Sequence, residues 1–178
     1  MTDPHAFVHP LVCESLDSLS IRDVSKGDHF GDVPEHWPEA EWVESGDGSY
    51  GDWNVEDDRG WLRAFVSDTD AGAVTYVWYE FYFRTRYSLQ HVVRTALARS
   101  RAQVVLPFVD PQDGYLYIPP GRVYGFDGDG DLRRIGLGLS AVYGERQWYE
   151  EIYRRAVESS GGSFFAPGHH PSAPGHPR

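Results

Sequence analysis

Hydrophobic and polar residues alternate over much of the chain between residues 40 and 143, with glycine, proline and aspartate between the alternating stretches. This alternation is typical of β-strands that bury one face. It predicts strands at 40–44, 50–56, 61–67, 74–87, 103–109, 115–118, 122–126 and 132–143. Because tight turns join these strands, we expect a mainly antiparallel sheet that is strongly curved, as a half-barrel or barrel.

The stretch 74–87 is the longest of these predicted strands, and its two faces differ. One face is mostly apolar and is expected to face the core: Thr75, Val77, Tyr79, Phe81 and Phe83. The other face mixes aromatic and charged side chains: Tyr76, Trp78, Glu80, Tyr82, Arg84 and Arg86. The mixed face is too apolar for bulk solvent and too polar for a core, so it predicts the wall of a pocket or groove.

Two segments have helical rather than alternating periodicity. Ser88 is an expected N-cap, and apolar residues at helical spacing follow it over 88–101. A second amphipathic helix is predicted at 146–157, and a shorter one at 11–24. Strands and helices together predict an α+β fold.

The chain divides into three parts by composition. Residues 1–35 are expected to form an acidic N-terminal arm whose helix is a candidate lid. Residues 36–158 are expected to form a single α+β domain. Residues 159–178, rich in glycine, proline, serine and histidine, predict a flexible tail.

Charge is distributed unevenly along the chain. Residues 1–58 contain fifteen Asp and Glu against two basic residues, whereas residues 59–178 contain twelve acids and fourteen arginines. The acidic part is therefore expected to cover the rest of the protein or to meet a basic partner. No acid occurs between Glu80 and Asp110, where five arginines form a basic patch: Arg84, Arg86, Arg94, Arg99 and Arg101.

This basic patch has several interpretations: contact with the acidic arm, an anionic small molecule, nucleic acid, or simply a solvated helix face. The net charge of −11 disfavours nucleic acid. No apolar run is long enough for a transmembrane helix, and the first residues lack the features of a secretory signal. With Cys13 as the single cysteine, these features predict a cytoplasmic protein without a membrane partner.

Motifs for metals, cofactors and nucleophiles are weak or missing in the sequence. The acidic stretch 127–131 resembles a calcium loop, but Leu132 and Gly138 occupy the positions where an EF-hand needs Gly and Glu. A hairpin turn explains it better. His29 and His36 have no specific metal spacing. We therefore expect no metal and no cofactor.

Glu80 is the candidate acid–base residue, because flanking Trp78 and Tyr82 would partly desolvate it and raise its pKa. The alternative is a structural ion pair with Arg84 or Arg86. The first functional hypothesis is a pocket for a hydrophobic small molecule. It includes a cofactor-independent cyclase, isomerase or dehydratase. Its expected ligand-binding residues are Tyr76, Trp78, Tyr82, Arg84, Trp61 and Tyr124.

The second hypothesis is an acidic protein-binding module, such as an immunity protein, an inhibitor or a small chaperone. Residues 28–58 contain eleven acids among large aromatic residues. A basic protein partner would suit such a surface, because aromatic anchors in a negative field provide both affinity and fast association. The candidate anchors are Trp37, Trp42, Tyr50 and Trp53.

Overall fold

The computed structural model describes residues 9–99, 106–109, 114–118 and 120–138. The described helices are α1 (Pro10–Ser18), α2 (Val33–His36) and α3 (Leu89–Arg99), with short 3₁₀ turns at Phe30–Asp32 and Asp68–Asp70. The described strands are β1 (Ser20–Ile21), β2 (Val24–Ser25), β3 (Glu41–Glu44), β4 (Tyr50–Glu56), β5 (Gly60–Ser67), β6 (Tyr76–Phe81), β7 (Leu106–Val109), β8 (Gly114–Ile118), β9 (Arg122–Phe126) and β10 (Leu132–Leu137).

Eight of the described strands form one antiparallel sheet in the order β3-β4-β5-β6-β10-β9-β8-β7. It consists of two meanders of four strands, which meet where β6 pairs with β10. The connection containing α3 carries the chain from β6 at the centre to β7 at the far edge. The remaining pair, β1 and β2, forms a small separate hairpin.

The α+β class and the antiparallel sheet are confirmed, but the sheet is open. Its outer described strands, β3 and β7, pair with one neighbour each and not with one another, so these strands do not close into a barrel. The strong curvature of a half-barrel is not confirmed. The boundaries proposed for an arm, a domain and a tail stay predictions.

One face of the sheet forms the core. Leu62, Val77 and Ile135 on neighbouring strands are at most 1 % exposed. They belong to one cluster with the buried faces of α1 and α3, which contribute Val12, Leu16, Val92 and Ala96. We call this side of the sheet the core face. Its burial is the main source of stability that the structure shows.

The N-terminal acidic segment packs on the core face. Ile21, Val24 and Val33 are buried, and Trp37 is fully buried, with its indole N–H donating to the carbonyl of Arg22 at 3.0 Å. Glu14 accepts bonds from the backbone N–H groups of Arg22 and Asp23 and from Ser20, which fixes the β1–β2 turn. The described part of this segment is therefore anchored by apolar side chains, while most of its acids face outward.

The predicted strand at 74–87 is longer than the strand that forms. β6 ends at Phe81 because its neighbour β5 begins at Gly60, which is the last residue paired with β6. Beyond this point Arg86 has a positive φ of 55° and the chain turns toward α3. Thr75, Val77, Tyr79 and Phe81 are buried as predicted, but Phe83 is 68 % exposed, so its assignment to the core is wrong.

The other predicted elements agree with the structure to different degrees. Strands 50–56 and 122–126 have the predicted bounds, whereas 132–143 is described as a strand only to Leu137. The helix predicted at 11–24 ends at Ser18, because Leu19 adopts a left-handed conformation with φ 53°. The helix predicted at 146–157 and the tail lie outside the described residues. No described helix has the length and apolar content that crossing a membrane requires.

Candidate functional site

The side of β4, β5 and β6 opposite the core face carries half-exposed aromatic and charged side chains. We call it the aromatic face. Strand register places Trp61 beside Glu80, Arg63 beside Trp78, and Phe65 beside Tyr76. Directly paired residues lie on the same face of a sheet. The structure therefore brings together four of the predicted site residues: Trp61, Tyr76, Trp78 and Glu80.

Arg63 organises the aromatic face. Its guanidinium donates two hydrogen bonds to the two carboxylate oxygens of Asp52, at 2.6 and 2.7 Å. The same guanidinium carbon lies 5.4–5.9 Å from the ring centres of Trp61, Phe65 and Tyr76. Phe65 also stacks on Tyr76 with 4.8 Å between centroids. A bidentate ion pair and stacked rings make this a rigid surface.

Glu80 is part of a cross-strand ion pair. Its carboxylate lies 3.5 Å from the guanidinium Nε of Arg134 on β10, and both side chains are about one-third exposed. This geometry is that of the structural ion pair considered as the alternative. Its partner is Arg134 instead of Arg84 or Arg86. A role for Glu80 in acid–base chemistry stays a prediction.

Tyr82 and Arg84 lie beyond the end of β6 and do not extend the aromatic face. Tyr82 is 38 % exposed, and its hydroxyl donates to the Glu56 carboxylate at 2.6 Å. This hydrogen bond raises the pKa of Tyr82 to about 12. Arg84 donates to Asp131 of the β9–β10 turn. Tyr82 therefore has a structural partner at the end of β4, and Arg84 has one in the β9–β10 turn.

Tyr124 lies on the core face, away from the other predicted ligand-binding residues. It is completely buried, and its hydroxyl is 2.7 Å from that of Ser15 in α1. Burial raises the pKa of this phenol. Arg122 on the same strand donates to the buried carbonyls of Ser15 and Leu16, which belong to the last turn of α1 and have no partner within the helix. Tyr124 thus helps to hold α1 against the sheet.

A cleft of about 680 Å³ opens where α1 begins, beside the end of β6. We call it the Arg59 cleft. The β1–β2 turn, the β4–β5 turn and the connection after β6 form its other walls. Its lining includes apolar and aromatic side chains, Leu11, Tyr79, Phe81 and Phe83, and the polar residues His9, Arg22, Glu39, Asp57, Arg59, Arg84 and Thr85.

The arginines of the cleft differ in their partners. Arg22 is paired with Glu39 at 2.6 Å, and Arg84 is paired with Asp131. Arg59 forms no ion pair with another described residue. Its neighbour Asp57 accepts the backbone N–H groups of Arg59 and Gly60 at 2.7 and 2.9 Å, as in an Asx turn. This turn presents the Arg59 guanidinium to the cleft.

His9 forms the wall of the cleft opposite the turn. Its Nδ1 accepts the backbone N–H of Leu11 at 3.2 Å, which caps α1. Its ring packs edge-on against Phe81 with 5.0 Å between centroids. Burial lowers the pKa of the imidazole from 6.5. The ring is therefore neutral at neutral pH, with its proton on Nε2.

The floor of the cleft depends on a close approach between two strands. A Cβ on Gly60 would come within 2.7 Å of the Tyr79 hydroxyl and closer still to the backbone of Glu80. Only glycine lets the Tyr79 ring lie over the start of β5. Burial raises the pKa of the Tyr79 phenol, so the floor is neutral at physiological pH.

A smaller cleft of about 240 Å³ collects acids and histidines around α2: Asp23, Asp28, Asp32, His29 and His36. Two of these side chains stabilise turns. The Asp28 carboxylate accepts the backbone N–H of Ser25, and the His29 ring accepts the backbone N–H of Gly31. Within the described ranges, no group of three or more His, Cys, Asp or Glu side chains is placed to hold a metal ion. In the 127–131 turn, Asp127 accepts the N–H groups of Asp129 and Asp131.

The basic patch and the acidic surface are only partly as the sequence predicts. Arg99 pairs with Asp17, so α3 meets the acidic segment through α1. Of the expected aromatic anchors, Trp37 is wholly buried and cannot face a partner, because its ring fills the core beside β1. Trp53 is half-buried and donates to the carbonyl of Phe30, which leaves Tyr50 as the clearly exposed ring.

Sequence reasoning missed His9 and Arg59 as cleft residues. The walls of the cleft come from five segments that are separate along the chain, and no local pattern indicates that they meet. The one local signal was the turn Asp57–Gly60, in which an arginine follows two aspartates and precedes a glycine. Such a turn predicts that its third residue is exposed, but the sequence does not indicate which part of the protein that residue lies beside.

Comparison with other proteins leaves the site to be interpreted from its own geometry. No protein family, no curated protein and no solved structure matches this chain significantly.

Proposed function

We propose that the protein binds a small, mainly apolar molecule that carries one acidic group, in the Arg59 cleft. The observation that carries this proposal is the combination of an apolar, aromatic floor with an arginine that has no ion-pair partner among the described residues. Binding sites for small molecules typically combine apolar walls with a few polar groups that fix orientation.

The size and the lining of the cleft support this class of ligand. About 680 Å³ lies within the usual range of roughly 300–1,000 Å³ for small-molecule sites. The rings of Tyr79, Phe81 and Phe83 provide apolar contact area. The Arg59 guanidinium offers planar hydrogen-bond donors that match a carboxylate.

The local charges favour one acid on the ligand. Arg22 and Arg84 are largely compensated by Glu39 and Asp131, and the Asp57 carboxylate is used by the turn. An acidic group beside Arg59 would gain a charge-assisted hydrogen bond without breaking these pairs. A ligand with several negative charges would meet Glu39 and Asp57, so we expect monoanions to bind better.

The proposal concerns binding. A cofactor-independent cyclisation, isomerisation or dehydration stays a prediction, with Glu80 as its acid–base candidate. The cleft on the core-face side and Glu80 on the aromatic face belong to opposite sides of β6. The cleft therefore supports the binding hypothesis separately from any role of Glu80.

The proposal is tested with anilinonaphthalene sulfonate, a fluorescent probe that has an aromatic body and one acidic group. We expect saturable binding to the folded protein. Arg59→Ala should weaken it about tenfold, since a charged hydrogen bond contributes about 1.5–3 kcal/mol. Phe83→Ala should weaken it by a smaller factor, because one wall of apolar contact is lost. The near-ultraviolet circular dichroism of each variant checks that binding is not to a partly unfolded state.

The matched control is Arg133→Ala, which removes an arginine of β10 that does not line the cleft. Its affinity for the probe should equal that of the wild type. If Arg59→Ala and Phe83→Ala both bound the probe as tightly as the wild type does, the proposal would be contradicted. Loss of binding in Trp78→Ala instead would locate the ligand on the aromatic face, as the sequence predicts.

A further inference from the structure

Strand β3 is the edge strand at one end of the described sheet. Among the described residues it pairs only with β4, in a register that joins Val43 to Asp52 and Glu44 to Gly51. The N–H of Ser45 donates to the carbonyl of Tyr50 at 2.9 Å. Hydrogen-bonded pairs alternate along antiparallel strands. The backbone groups of Glu41 and Val43 therefore point to β4, and those of Trp42 and Glu44 point away from the sheet.

The edge is held firmly in place. The Trp42 ring lies across Gly51 so closely that a Cβ at this glycine would overlap it. The same ring packs against Phe30 and Trp53, with centroids 5.5 and 5.2 Å away. An ordered edge of this kind is a preformed template for an added strand.

The exposed side chains of the edge combine one apolar residue with acids. Val43 is 55 % exposed, and Glu41 and Glu44 on either side of it are exposed as well. Residues 27–58 contain eleven acids and neither lysine nor arginine. In the next turn, hydrogen bonds from Ser49 and Ser45 lower the pKa of Asp47 to about 2, so it is charged at neutral pH.

These charges select among possible occupants of the edge. A second copy of this chain would bring its own Glu41 and Glu44 against the same acids, and like charges across paired strands are destabilising. A basic strand would instead place Lys or Arg beside each glutamate, with an apolar residue beside Val43. The acidic field would also speed its association.

We propose that the β3 edge binds an extended, basic segment of a partner protein as an additional antiparallel or parallel strand. The backbone of Trp42 and Glu44 provides the hydrogen bonds. Val43 provides apolar contact, and Glu41 and Glu44 select basic side chains. No residue of β3 lines the Arg59 cleft, so this interaction does not depend on the proposed ligand.

The test measures, by fluorescence anisotropy, the binding of a fluorescently labelled peptide that repeats Lys-Val-Thr. In antiparallel pairing this repeat places lysines opposite Glu41 and Glu44, which lie on opposite faces of β3, and valine opposite Val43. We expect saturable binding at low salt that weakens as ionic strength rises. The double variant Glu41→Lys with Glu44→Lys should lose about tenfold or more in affinity. Glu35→Lys is the control that is charge-matched to each single variant, Glu41→Lys and Glu44→Lys, because Glu35 is exposed on α2, outside β3, and it should have a smaller effect than either.

A second peptide separates strand pairing from simple charge attraction. The same peptide with alternate backbone nitrogens methylated keeps its charge but loses its edge hydrogen bonds, so it should bind weakly. The variant Glu44→Pro should also bind weakly in comparison with Glu44→Gln, since it removes an outward N–H that β4 does not use.

Three results would overturn the proposal. The first is the absence of saturable binding, which would mean that the glutamates block the edge. The second is equal affinity for the methylated and unmodified peptides. The third is a concentration-dependent dimer in sedimentation experiments that Glu44→Pro abolishes and Glu44→Gln retains, which would identify a second copy as the occupant.

Discussion

The two faces of the central sheet are ordered in different ways. On the core face, Leu62, Val77 and Ile135 are buried under α1 and α3. On the aromatic face, the rings of Trp61 and Phe65 stay half-exposed and are ordered by stacking around the Arg63–Asp52 pair. Burial of apolar side chains therefore stabilises one side of this sheet, while an ion pair and ring stacking order the other.

The largest difference is expected between two truncations on the same strand. Leu62→Ala should cost about 2–5 kcal/mol, because it leaves a cavity in a packed core. Phe65→Ala should cost about 1–2 kcal/mol, since it removes ring stacking at a half-exposed site. Urea unfolding of both variants measures the difference. A cost for Phe65→Ala equal to that of Leu62→Ala would mean that the aromatic face is a second core.

Double-mutant cycles compare the coupling energy of a buried ion pair on the aromatic face with that of an exposed pair. Asp52 is buried and doubly bonded to Arg63, so we expect a coupling energy of about 1.5–3 kcal/mol between them. The exposed pair of Arg22 and Glu39 should couple by only about 0.2–1 kcal/mol. Both cycles use alanine variants and urea unfolding. Equal coupling in the two cycles would show that Arg63 does not order the aromatic face.

The burial of His9 beside the core face predicts a pH dependence of the free energy of unfolding. Burial lowers its pKa in the folded state below 6.5, so the unfolded chain takes up the proton first as pH falls. The free energy of unfolding should therefore decrease below pH 6.5 by a contribution that is absent above it. His9→Asn keeps an N-cap acceptor and removes the titration, so its unfolding should depend less on pH over this window. An identical pH dependence in both proteins would contradict this reading.

Tyr82 should give the smallest effect on stability. Its hydroxyl is at the surface, so Tyr82→Phe should change the free energy of unfolding by less than about 0.5 kcal/mol. Its titration is more informative. The difference in phenolate absorbance between wild type and Tyr82→Phe should show a pKa of about 12. Glu56→Gln should return it toward 10, the ordinary value.

Local pattern was enough to predict much of the sheet. Strands 50–56 and 122–126 have the predicted bounds because their turns contain glycine or aspartate at the ends. The end of β6 was missed, since it depends on where the neighbouring strand begins, at Gly60. Pairing between distant segments sets such an end, and alternation within one segment does not contain that information.

The candidate site was less predictable than the fold. The mixed face predicted for β6 agrees with the structure at Tyr76, Trp78 and Glu80, whose side chains are all half-exposed. The Arg59 cleft, however, is assembled from turns and strand ends that are distant in sequence. Charge counting likewise did not reveal that Trp37 is buried within the acidic segment. Most acids of this segment face solvent and the indole faces the core, and no local sequence pattern indicates this difference.

Hydrogen–deuterium exchange with and without anilinonaphthalene sulfonate tests the central claim of a ligand in the Arg59 cleft most directly. A probe bound in the cleft should slow exchange at the backbone amides of Leu11, Arg59 and Thr85. Slower exchange confined to Trp53 and Phe65, on β4 and β5 away from the cleft, would contradict it.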